Sequence, residues 1–220
     1  TNLQFQADLA YHARLSENWY LSAGVRTVLS SIRINLRDIQ YIDPNDPHFQ
    51  DVYSSGLLLN ASAGLLAYNE KHFIVLSIPL ALRNRIATHD VLVSEVSRHL
   101  FAYGGSNIAL APELTFIPSV LFKYAEDAPI QLDLNAVFGF RDVFDFGPMI
   151  RSNLASQNQW FDAVGFLVGI RFSQNWYLGY MYEYPTTALN LATKQTHEFS
   201  LRYLWGSRQL RTIRSPRYFL

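Results

Sequence analysis

The chain contains no cysteine, which excludes disulfide staples, thiolate metal sites and cysteine nucleophiles, and which suits a bacterial envelope protein. It is also short of charge, with 16% of its 220 residues Asp, Glu, Lys or Arg, against about a quarter in typical soluble domains. Lys plus Arg and Asp plus Glu each total 18, so no whole-chain field draws it to nucleic acid or anionic lipid. No stretch supplies the roughly 20 mainly apolar residues that a membrane-spanning helix requires, and the run Phe73 to Leu82 is too short. Thr1 opens directly onto strand-like sequence, without a basic start, apolar core and small-residue cleavage site; an export signal is expected to have been removed or omitted.

Aromatic residues, by contrast, make up 15% of the chain, and such an excess needs an interface to occupy. Leu3, Phe5, Ala7, Leu9, Tyr11, Ala13 and Leu15 alternate with Gln4, Gln6, Asp8, His12 and Arg14. Residues two apart share one side of a strand, so this alternation separates an apolar from a polar face. Ile130 to Arg141, Val164 to Phe172, Trp176 to Tyr184 and His197 to Trp205 repeat the rule. Trp19 to Leu29, Leu57 to Ala67, Phe73 to Leu82, Phe101 to Leu110, Phe116 to Tyr124 and Phe144 to Arg151 follow it less regularly. About eleven strands result, many of the roughly 9 to 11 residues needed to cross a bilayer at a tilt, where a soluble sandwich uses about 5 to 6.

The connections alternate in kind. Brief turns at Ser16 to Asn18, Asn69 to Lys71, Arg141 to Asp142 and Ser173 to Asn175 interleave with longer polar links. The long links are Arg37 to Gly56, Asn84 to Arg98, Asn153 to Gln159 and Thr186 to Gln195, with Ala125 to Pro129 short for its class. Tight periplasmic turns and longer outside loops are the habit of outer-membrane barrels. Rings near strand ends, at Trp19, Tyr20, Tyr68, Trp160, Phe161, Trp176, Tyr177 and Trp205, are expected in the headgroup zone. A membrane sheet must close on itself, and bacterial single-chain barrels have even strand numbers. An odd count therefore points to upstream strands beyond this sequence, or to an undercount by one.

Asp43-Pro44-Asn45-Asp46-Pro47, preceded by Asn35-Leu36 and followed by Phe49, resembles the PorP/SprF family of type IX secretion outer-membrane proteins. Pro118 to Tyr124, Ala128-Pro129 and Leu132 to Asn135 are similar to the family's central strands. So are Arg171 onward with Leu178-Gly179-Tyr180 and Tyr182-Glu183-Tyr184, then Thr196-His197-Glu198 and Ser215 to Phe219. The resemblance runs from about Leu9 to Phe219 and implies an export signal and about three further strands, roughly 14 in all, which restores even parity. It further implies a non-enzymatic role in the gliding and secretion machinery of Bacteroidota, helping adhesins or other cargo reach or stay on the cell surface. Outer-membrane lipid, other type IX components including periplasmic ring lipoproteins, and the C-terminal domain of cargo are the implied partners.

On the inward face the alternation places Asp8, Arg14, Arg26, Asn60, Lys123, Gln131, Asp133, Asn135, Arg141, Asp162, Arg171, Glu183, Glu198 and Arg202. Interleaved signs fit either a bracing network of salt bridges or a polar lining for a plug, a cargo segment or a solute. Asp38, Asp43, Asn45, Asp46 and Asp51 offer hard oxygen ligands, but they lack the EF-hand glycine and terminal glutamate, and two prolines more simply stiffen a surface loop. His12, His48, His72, His89, His99 and His197 are scattered, so no metal or other cofactor is assigned. No serine, histidine and acid form a nucleophile motif. Beyond Trp205, Arg208, Arg211, Arg214 and Arg217 occur without an acidic residue; this end is either loosely docked or a docking arm with Tyr218 and Phe219 as anchors.

The reading is therefore an all-β antiparallel transmembrane β-barrel over residues 1–206, about 11 strands forming the C-terminal part of a roughly 14-stranded barrel, with a basic periplasmic tail over 207–220. Its function is that of a type IX secretion component in the bacterial outer membrane. A passive porin or channel is the leading rival, ahead of an outer-membrane enzyme and a soluble ligand-binding barrel.

Overall fold

The alternation that opens the chain becomes β1 (Asn2–Arg14), thirteen residues long and paired along its whole length with β2 (Tyr20–Asn35). The computed structural model describes residues 2–35, 52–54, 57–88, 91–154, 161–187 and 195–205. The expected links at 37–56, 153–159 and 186–195 fall largely outside these residues, as does the whole tail from 206. No helix among the described residues is long and apolar enough to cross a membrane, and the elements are strands throughout.

Beyond β1 and β2 the chain forms β3 (Val52–Ser54), β4 (Leu58–Tyr68), β5 (His72–Ile78), β6 (Asn84–Thr88), β7 (Val91–Val96), β8 (His99–Ser106) and β9 (Ile108–Ala111). Then follow β10 (Leu114–Ala125), β11 (Gln131–Phe140), β12 (Phe144–Asn153), β13 (Phe161–Ile170), β14 (Trp176–Pro185) and β15 (Thr196–Tyr203). Eleven of them make an antiparallel meander in the order β1-β2-β4-β5-β8-β10-β11-β12-β13-β14-β15. That path matches the expected eleven strands. β1 and β15 are its two edges and do not pair with one another.

Two departures have simple causes. β8 and β9 hold one register against β10, Gly105 facing Ser119 and Ile108 facing Phe116. The interruption lies opposite Pro118, which has no N–H to give to the ladder, and the Asn107 amide instead donates to the Lys71 carbonyl at 2.7 Å. The link expected over Asn84 to Arg98 is not merely polar loop, since β6 and β7 form a separate two-stranded hairpin within it. Val91, Leu92, Val93 and Val96 supply its β-branched and apolar residues.

Because the pairing is continuous, one face of the sheet can be followed across all strands. Phe5, Leu29 and Leu59 share it, as do Val120, Leu134, Ile150, Val164 and Tyr184. This face is apolar and exposed, with Leu9 74% and Phe199 76% accessible. A contiguous apolar surface of this extent has no place in water and marks the lipid-facing side of a transmembrane barrel. At the end of the short turns it carries a row of rings. Phe116, Phe138 and Phe146 lie 5.0 and 6.0 Å apart in sequence, and Trp176 contacts Phe172 at 6.3 Å and Tyr203 at 4.6 Å.

Three expected headgroup rings lie on the opposite face. Tyr20 and Tyr68 stack at 5.5 Å on the inner side, Tyr68 only 2% exposed, and Tyr177 also points inward. Position near a strand end marks height in the membrane, whereas parity along the strand decides the face.

The ladder between β11 and β12 is interrupted midway. Asn135 faces Met149 and Phe138 faces Phe146, leaving Ala136 and Val137 opposite Gly147 and Pro148 outside the ladder. A Cβ on Gly147 would stand 2.1 Å from the Ala136 carbonyl oxygen and 2.7 Å from the Val137 Cα. Backbone, not a flexible side chain, fills that space. Gly147→Ala is expected to cost about 1–3 kcal/mol through overpacking, read as a lower thermal unfolding midpoint in detergent. Gly24→Ala, where the nearest atom is 3.6 Å away, is expected to leave it unchanged.

Candidate functional site

The inner face carries a chain of alternating charges beneath the long-connection rim. Lys123 lies two residues before the end of β10, Asp133 near the start of β11, Arg151 near the end of β12 and Glu183 near the end of β14. Lys123 Nζ sits 2.5 Å from Asp133 Oδ2. Arg151 donates from Nε to Asp133 Oδ1 at 2.9 Å and from Nη1 to Glu183 Oε1 at 2.8 Å. A fork of fixed donors suits a residue that holds two carboxylates at once.

Arg151 faces Asp133 directly in register, but Glu183 lies beyond the intervening strand β13. The guanidinium can cross because β13 presents Ala163 and Gly165 there, opposite Arg151 and Glu183 respectively. Ala163 is 3% exposed. A Cβ on Gly165 would meet the Tyr182 carbonyl oxygen at 2.8 Å and the methyl groups of Met149 and Met181 at 3.3 Å. Below this cluster the inner wall turns apolar: Ile117 faces Val137, and Leu167 faces Met181.

The other inward candidates serve the frame. Asp8 and Arg26 face one another across β1 and β2 and form an ion pair. Arg14 donates to the carbonyls of Ser16 and Glu17 at 3.0 and 2.8 Å, closing its turn. Asn60, nearly buried, donates to the Leu82 carbonyl at 3.0 Å and accepts from the Leu82 amide at 3.2 Å, carrying the chain beyond β5 alongside β4. Gln131 faces Lys123, and Asn135 donates to Ser119 Oγ at 3.3 Å. Asp162 is the extra residue where the β12–β13 register shifts, and its carbonyl accepts from the Thr186 amide at 2.8 Å. Glu198 is exposed opposite Met181.

At the short-turn end, Arg141 and Asp142 take positive φ angles of 54° and 55° in the tight β11–β12 turn, and Arg141 Nε donates to Glu113 Oε2 at 2.9 Å. Nearby, the Arg202 guanidinium lies 4.7 Å from the centre of the Tyr177 ring and that of Arg171 5.9 Å from it. Arg171 also donates to the Asp142 carbonyl, and the Tyr177 hydroxyl is hydrogen-bonded to Asp145. The tyrosine lies flat because β13 offers Gly169 beneath it, where a Cβ would fall 1.9 Å from the hydroxyl oxygen. Arg208, Arg211, Arg214, Arg217, Tyr218 and Phe219 lie outside the described residues, as do Asp38, Asp43, Asn45, Asp46, Asp51, His48 and His89.

Sequence reasoning named Lys123, Asp133 and Glu183 but missed Arg151, the residue that joins them. The signal was present: Asp145, Gly147, Met149 and Arg151 share the parity opposite to Phe144, Phe146, Pro148 and Ile150. Tyr177 and Asp145 were missed for a related reason, since each sits inward among residues read as interfacial or irregular. Chemically, two cations and two carboxylates in alternation are internally balanced, which suits bracing across five strands more than proton transfer. Residues 1–203 match the model of a family described as type IX secretion system membrane protein PorP/SprF. No curated protein matches the chain.

Proposed function

We propose, from the premise that this chain belongs to the PorP/SprF family of type IX secretion system membrane proteins, that it is a non-enzymatic outer-membrane component assisting secretion or surface attachment of adhesins or other cargo. The observation that carries the membrane part is the unbroken apolar outer face from β1 to β15, with rings gathered at its short-turn end. In this reading the short turns face the periplasm and the long connections, with the β6–β7 hairpin, face outward. Unpaired edge groups on β1 and β15 are not tolerated in hydrocarbon. Closure by further strands, about 14 in all as even parity expects, belongs to the same proposal.

A passive porin needs a polar lumen wall along its full depth. The inner wall of β10 to β14 instead places Ile117, Val137, Leu167, Met149 and Met181 between its two charged ends, and apolar constrictions oppose ion flow by dewetting. That layering favours a secretion component whose inner face is braced or occupied. Periplasmic ring lipoproteins and the C-terminal domain of cargo are its proposed partners. Two measurements test this. The purified barrel is expected to show no stable open-channel current in planar bilayers, and its detergent-extracted complex to contain other type IX components or adhesin fragments by mass spectrometry. A steady conductance with no such components would assign the protein to the porin class.

A further inference from the structure

The outer face is not uniform. On β13 it presents Val164, Phe166, Val168 and Ile170, none of which carries a hydrogen-bonding side chain. Across the ladder on β14 and β15 the same face carries Tyr180, Tyr182, Tyr184 and His197. Tyr182 and Tyr184 belong to the last four residues of β14 and His197 is the second residue of β15, so they stand toward the long-connection end, with Tyr180 one step below. Three of them are in contact. The Tyr180 hydroxyl lies 2.8 Å from His197 Nδ1, and the Tyr182 ring centre lies 5.4 Å from that of the imidazole. Phe199, 5.0 Å from Tyr180, closes the lower side. Hydrocarbon has no partner to give such groups, and holding them in it is costly.

We propose that Tyr180, Tyr182, Tyr184 and His197 bind the phosphorylated sugar headgroup of an outer-leaflet glycolipid. This rests on the membrane orientation proposed above and adds to it a specific lipid. Because Tyr180 engages Nδ1 of the exposed His197 ring, Nε2 is left to meet an oxygen from outside. The two acids of these strand ends, Glu183 and Glu198, have the opposite parity and belong to the inner face, so no carboxylate on the outer side repels a phosphate. Tyrosine rings at this height offer an apolar flank to acyl chains and a hydroxyl to the headgroup. Hydroxyls and an imidazole spread over two strands match a sugar ring with its own hydroxyls and phosphate better than a single phosphodiester. A strand added beside β15 would flank this site without covering it, since outward side chains stand roughly perpendicular to the sheet.

The test is native mass spectrometry of the whole protein released from nanodiscs, with lipid A and phosphatidylethanolamine as the two probes. The wild-type protein is expected to retain lipid A in preference to phosphatidylethanolamine. Y180F/Y182F/H197F keeps a ring at every position and removes only the hydrogen-bonding atoms; it is expected to weaken lipid A retention about tenfold. H197Q is expected to keep part of it, because an amide still donates. Y203F, on the same face at the short-turn end, is expected to leave it unchanged. Equal retention of lipid A by the triple variant, or equal retention of the two lipids by the wild type, would mean ordinary anchoring by rings and overturns the proposal. The orientation is read separately. The chain has no cysteine, so A128C, in the exposed β10–β11 connection at the long-connection end, is expected to be labelled on intact cells by a membrane-impermeant maleimide. A labelled A128C without lipid A preference overturns the site alone, whereas an unlabelled A128C overturns the orientation and the site with it.

Discussion

Arg151→Met is expected to lower the stability of the barrel by about 3–5 kcal/mol, because it leaves the carboxylates of Asp133 and Glu183 without their shared cation. Their side chains are 9% and 17% exposed, so water screens them poorly. Lys123 stays beside Asp133 but lies on the far side from Glu183, and it cannot replace the bond across β13. Burying an uncompensated charge costs more than losing the pair itself gains, and that asymmetry supplies the control. The quadruple variant K123M/R151M/D133N/E183Q removes all four charges together and is expected to recover most of the loss. The measurement is the temperature at which folded, fast-migrating protein converts to the unfolded band on electrophoresis. A single variant as stable as the wild type would show that the cluster does not brace the sheet.

Much of the fold was legible because membrane strands expose their code twice, as alternation and as length. Leu3 to Leu15 and Ile130 to Phe140 read directly as strands, since lipid on one side and polar groups on the other leave little freedom in the choice of residue. The β6–β7 hairpin was not legible as such, because Val91, Leu92 and Val93 run consecutively among polar residues and show no alternation over Asn84 to Arg98. The inward ionic cluster was partly legible. Parity exposes which residues share a face, but not which of them meet diagonally over small neighbours. The reach of Arg151 to Glu183 depends on Ala163 and Gly165, two residues whose only contribution is to be small. Tyr20 and Tyr68 show the converse failure, for they stand at strand ends as expected but on the inner face.

The division between the two faces makes adjacent residues on β13 respond in opposite ways. Phe166 lies at the middle of the strand on the outer face, flanked in register by Pro148 and Tyr182, and is 46% exposed. Phe166→Arg is expected to cost about 2–4 kcal/mol, the usual penalty for a cationic side chain on the lipid face at the bilayer midplane. Snorkelling relieves little of it there, because both headgroup zones are equally distant. Leu167, one residue on, faces Met181 on the inner side; Leu167→Gln replaces an apolar contact but keeps the side chain out of lipid, and is expected to cost about 1 kcal/mol or less. Insertion into liposomes followed by protease protection and urea unfolding separates the two outcomes. Equal losses at Phe166 and Leu167 would mean that neither face meets lipid, whereas the expected inequality places the boundary between bilayer and inner wall within a single residue step.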